Sequence, residues 1–182
     1  MVPPTIPVLA SAALCAALGI TALQGFTVGR ARTEATLARQ DGRYDDARRV
    51  LTAALRAAPD AWQAWSDLAL TARSAWVFQQ QPGQLAQSLD AYRRAAALNP
   101  DSAVPRAELA RTLMVAGRFG EAGSAYRDAL SRDPHSPGLH VAYAQTLEAA
   151  QDVPGALAQY RAAGAIDANE YSQDAERRLG TP

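Results

Sequence analysis

Prolines, glycines and tyrosines return along this chain at a fixed interval, and that interval constrains the fold more than any other feature. Pro100 and Pro134 stand 34 residues apart. Between them lie Leu109, Ala110, Gly117, Phe119, Ala122, Tyr126 and Ala129. These offsets suit two antiparallel helices joined by a tight turn. Ala110 and Ala122 let the helices approach closely, and Phe119 and Tyr126 fill the space the small residues leave. Gly117 ends the first helix, because a residue without a Cβ enters the left-handed conformation cheaply. Pro134 stops the second, since it can neither continue a helix nor donate to it. Downstream, Ala144, Ala156, Tyr160 and Ala163 repeat Ala110, Ala122, Tyr126 and Ala129 at the same 34-residue spacing. Upstream, Gly83, Leu85, Tyr92, Ala95 and Pro100 repeat the second helix. Gly42, Tyr44, Ala47, Leu51, Ala54 and Pro59 do so once more.

Four copies of this signature resemble the tetratricopeptide repeat family, over roughly Arg30 to Asn169. The resemblance implies an all-α fold, a superhelix of about four helix-turn-helix repeats. Their expected limits are 30–61, 62–102, 103–136 and 137–169, followed by a C-terminal cap helix and tail over 170–182. The Ala-rich composition favours helix throughout. Ser136 and Asp152 are expected to cap the two helices of the fourth repeat. Gln151 replaces the turn glycine there.

The second repeat breaks register. Trp65, Leu68 and Ala69 match the leading Trp-x-x-Leu-Ala of the family. Pro59 and Pro100, however, are 41 residues apart, seven more than the period. The excess lies around Ser74 to Gln81. Seven residues are about two helical turns. The expectation is one added turn on each helix, with Trp76, Val77 and Phe78 folded inward as cover for neighbouring helices; the alternative is an exposed contact patch.

Residues 1–29 read as an N-terminal membrane segment. Val8 to Gly29 carries no charged side chain, and about 20 apolar residues suffice to cross a bilayer. A cleaved signal peptide fits less well, because Met1 to Pro7 holds no Lys or Arg and no clear small-x-small cleavage site follows. The expectation is a retained single-pass transmembrane helix running on into the first repeat. Arg30, Arg32, Arg39 and Arg43 follow the span, which by the positive-inside rule places the repeats in the cytoplasm, the alternative being the periplasmic or extracellular side. Cys15, the one cysteine, sits within the span and excludes an internal disulfide framework.

The formal net charge is zero, so no bulk field draws nucleic acid. All basic side chains are arginines. His135 and His140 are the only histidines, with no cysteine or spaced carboxylates to make a metal site, and no phosphate loop or nucleophile elbow occurs. No enzyme, cofactor or metal is expected.

Binding is what such an array offers, to a protein or peptide ligand. The resemblance puts repeat positions two, five, nine, twelve and thirteen on the concave groove. These are Gln63, Ser66, Leu70, Arg73 and Ser74 in the second repeat. In the third they are Val104, Ala107, Arg111, Met114 and Val115. In the fourth they are Gly138, Val141, Gln145, Glu148 and Ala149. Arg73 and Arg111 above an apolar floor suit an extended or helical peptide with apolar anchors and a carboxylate, unless both pair with nearby acids. A clamp for chaperone tails is rejected, because the chain lacks Lys and Asp67 stands at the expected Asn position. Three functions follow: a membrane-anchored scaffold for assembling a bacterial envelope or membrane complex, a non-catalytic regulatory tail resembling those of O-antigen-ligase-like enzymes, or a secreted soluble repeat protein.

Overall fold

The structure is a computed structural model. It describes the backbone of residues 6–168 and 170–180, and the side chains of 22–168, 170 and 172–180. The described backbone is all helix and turn. α1 (Ile6–Gln40) and α2 (Tyr44–Ala57) form the first pair, α3 (Trp62–Gln79) and α4 (Gln84–Leu98) the second. α5 (Val104–Val115) with α6 (Phe119–Arg132), and α7 (Pro137–Ala149) with α8 (Val153–Ile166), complete the array, and α9 (Glu170–Gly180) closes it. Each helix packs on its sequence neighbours, and first helices also touch across α1–α3 and α5–α7, as in a stack of hairpins.

The periodic residues build the core. Ala69, Ala110 and Ala144 are fully buried on the first helices, as are Ala122 and Ala156 on the second. Leu51, Tyr92, Tyr126 and Tyr160 take one equivalent position in the four second helices and are each at most 1% exposed. Gly123 serves close approach: a Cβ there would lie 3.3 Å from Cε2 of Tyr143, whose ring stacks on Tyr126. Gly42 and Gly117 turn their hairpins at φ +73°. Gln151 adopts φ 64° at the same repeat position. Asp152 caps α8 by accepting from the Gly155 N–H at 3.0 Å. Ser136 makes no side-chain cap on α7; its carbonyl instead accepts from the Leu139 and His140 N–H groups.

α1 is one unbroken helix, and its packing on the array begins before Arg30. Gln24 donates its amide to the Ala57 carbonyl at 3.1 Å, and Val28 joins the core cluster of Ala35, Leu51 and Leu55. Among the described residues no helix is long and apolar enough to cross a membrane. The transmembrane expectation for 1–29 rests largely on residues whose side chains lie outside the described set.

The second repeat corrects two expectations. Nearly all of the extra length goes into the first helix: α3 has 18 residues, against 12 in α5 and 13 in α7, while α4 has 15, against 14 in α6. Trp76 stands where Gly42, Gly117 and Gln151 turn the other hairpins. Bulky Trp76, β-branched Val77 and Phe78 resist the left-handed conformation, so the helix runs on and turns at Gln80, φ 52°. This overhang does not fold inward. Val77 is 42% and Phe78 73% exposed, and only Trp76 is half-buried. The extra turn outruns its neighbours, and Gln79 meets the α1–α2 turn by donating to the Gly42 carbonyl.

Candidate functional site

The first helices place the groove residues at helical spacing, and the charges among them are bonded from repeat to repeat. Gln63, Ser66, Leu70 and Arg73 are half-buried on α3. On α5, Val104 and Val115 are exposed, Met114 is half-buried and Ala107 is buried. On α7, Val141 and Glu148 are half-buried and Gln145 is exposed. Met114 also packs against the core cluster of Leu89, Leu113 and Ala122, and Val141 against that of Ala144 and Tyr160, so neither serves the groove alone. The Ser66 hydroxyl is buried without a hydrogen-bond partner among the described residues.

Arg73 and Arg111 are not free cations. Arg73 donates to Glu108 across the α3–α5 gap at 2.9 Å, and Arg111 reaches the other oxygen of the same carboxylate from one turn away. The physical reason is burial: Arg73 and Glu108 show 18% and 24% of their side chains to solvent, and charges that deep need partners. Two guanidinium groups on one carboxylate still leave an excess positive charge. Half-buried Arg39 on α1 has no ion-pair partner among the described residues and adds to it. Under this cluster lies Tyr92. Burial pushes its phenol well above the ordinary range; Arg73, Arg111 and Arg39 pull it down and Glu108 pushes it up.

The same device recurs at both ends. Arg32 bonds Asp67 at 2.5 Å, joining α1 to α3. Glu148 accepts from Arg178 of α9 at 2.7 Å and from the Tyr160 hydroxyl at 2.6 Å. The Arg178 bond, then Tyr160, holds the Glu148 carboxyl below the usual carboxylate range. Reading the sequence by lining position missed Glu108 as the hub and Asp67 as an inter-repeat partner. One signal was present: both are acids at the same repeat position.

Outside the groove, the family's leading Trp position ties the second, third and fourth repeats to the loop before each. Trp65 donates to the Pro59 carbonyl at 2.9 Å, with Arg94 4.9 Å over its ring. His140 bonds the Pro134 carbonyl at 3.1 Å and Gln159 at 2.8 Å. Arg106 replaces the aromatic ring in the third repeat. It is 8% exposed and donates to the carbonyls of Ser102 and Asn99 and to Asp128 at 2.8 Å. His135 is exposed in the loop.

Comparisons with known proteins agree with this geometry. Two tetratricopeptide repeat models match, over residues 32–103 and 116–179. No curated protein matches the sequence. Among solved structures, Pseudomonas aeruginosa PilF aligns with TM-score 0.69 and 16% identity, over 86% of this chain and 68% of that one. The crystal structure of MamA aligns with TM-score 0.66 and 14% identity, over 80% and 81%. MamA AMB-1 gives TM-score 0.61 and 26% identity, over 77% and 79%. With family models over most of its length and the helix pairs they describe, the chain belongs to the tetratricopeptide repeat family.

Proposed function

We propose that the chain is a non-catalytic, membrane-anchored scaffold that holds an acidic, partly apolar peptide segment of a protein partner in its groove. The carrying observation is the unequal charge at the groove floor, where Arg73 and Arg111 share the single carboxylate of Glu108. A ligand carboxylate takes one guanidinium without leaving Glu108 unpaired, and exposed Val104 and Val115 offer apolar contact beside it. The uncharged stretch that begins at Val8 supports the anchor, and the arginines that follow support a cytoplasmic array. Assembly of a bacterial envelope or membrane complex is the process such an anchored scaffold suits.

The test uses immobilised full-length protein in detergent and a set of extended peptides with and without acidic residues. Arg73→Ala with Arg111→Ala should weaken the acidic peptides roughly ten- to hundredfold, the worth of a charge-assisted contact, and more at low salt than at high. Unchanged affinity in the double variant removes the concave face as the binding surface.

A further inference from the structure

α1 carries an exposed stripe that none of the described residues covers. Leu23 is 64% exposed, Phe26 70% and Leu37 56%, and with Arg30 and Glu34 they follow one another at spacings of three and four on one side of the helix. The comparison with the inner repeats shows why this face is open. At the position of Glu34 the later first helices carry Leu68 and Tyr143, 5% and 7% exposed. At the position of Leu37 they carry Thr71, Thr112 and Thr146, each at most 1% exposed. A preceding repeat covers those sites. Among the described residues repeat one has none, yet at Leu37 it places a larger and more apolar residue than any inner repeat does. Arg30 and Glu34 are one turn apart, and neither has an ion-pair partner among the described residues.

Lipid cannot cover the whole stripe. The Gln24 amide is bonded to the Ala57 carbonyl, so the α2–α3 loop, with its backbone polar groups and Asp60, lies beside α1 at that level. Any membrane span on α1 therefore ends by about Leu23, leaving Phe26 and Leu37 outside the bilayer. The residues before the stripe belong to the same continuous helix and are carried away from it. The cover has to be apolar at Phe26 and Leu37, and has to offer an acid to Arg30 and a base to Glu34. A second α1 meets all of these terms at once. We propose that the chain forms a parallel two-fold dimer through this stripe, with Leu23, Phe26 and Leu37 meeting their own copies and each Arg30 reaching the partner's Glu34. An isologous contact of this kind is self-complementary by construction, and the parallel arrangement lets two chains share one membrane.

The experiment is light scattering and oxidative cross-linking of the full chain in detergent, in a Cys15→Ser background. The expected mass is that of two chains. Phe26→Cys and Leu37→Cys should each cross-link with its own copy. Arg30→Glu alone and Glu34→Arg alone should each weaken the dimer by about tenfold or more, and the two together should restore it. All these side chains are exposed, so the variants should keep their helix content. A monomeric chain at micromolar concentration overturns the proposal. So does a dimer indifferent to Phe26→Glu and Leu37→Glu, or a double charge swap no tighter than either single. Cross-linking of Phe26→Cys only with Leu37→Cys of a second chain overturns the parallel arrangement.

Discussion

The second and third repeats hold the same positions with opposite chemistry. Where Trp65 stacks under Arg94 in one, Arg106 bonds Asp128 in the other. The aromatic ring and the guanidinium both reach back to the carbonyls of the preceding loop. What an array of this kind requires at that site is a large side chain with a donor at its tip, and two unlike residues supply it. The hairpin turns differ in the same spirit. Gly117 turns the third repeat, whereas Trp76 at the equivalent point lets α3 continue to Gln79 and forces the turn onto Gln80. The inward ring of the second helices does not differ: Tyr92 and Tyr126 occupy one site and are both 1% exposed. The variation thus gathers around the leading position and the turns, above a fixed layer of second-helix rings.

That contrast can be broken at its constant part first. Tyr92→Ala and Tyr126→Ala should each destabilise by about 3–5 kcal/mol in chemical denaturation, and by similar amounts, because each leaves a ring-sized cavity in the same packing. A large difference between them would show that the two repeats share geometry without sharing energetics. The divergent site comes next. Arg106→Ala should cost roughly 2–3 kcal/mol, since it strands the Ser102 carbonyl and removes a hydrogen bond to that of Asn99, while Arg94→Ala should cost only about 0.5–1 kcal/mol for a lost cation–π contact. Equal effects would mean that loop tethering is not what the position supplies. The turns give the smallest change, in opposite directions. Gly117→Ala should lower the unfolding free energy by about 1 kcal/mol, and Gln80→Gly should raise it by up to about 1 kcal/mol, both measured by denaturant titration.

Much of this was legible in the sequence because helix pairing is a matter of size at fixed intervals. Ala110, Ala122 and Tyr126 announce a close helix crossing and the ring that fills it, and nothing far away can alter that. The groove charges were harder. Arg73 and Arg111 were visible as cations on the right face, but their pairing with Glu108 depends on the gap between α3 and α5, a distance that no local pattern encodes. Phe78 misled for a related reason. Its apolarity argued for burial, yet the turn that would have placed it beside a neighbour was displaced by the residues of the overhang itself. Arg106 hid because the expected residue there is aromatic, and a buried arginine shows only when the carbonyls that receive it are in place.

One consequence belongs to the continuity of α1. Thirty-five residues in one helix form a rod of about 52 Å, half of it built into the first repeat. A flexible tether would let the groove sweep a wide volume and meet partners from any side. A rod allows no such search. Whatever fixes its first turns also fixes the heading of the groove, and a twist applied at one end of the rod arrives at the other as a rotation of the whole array.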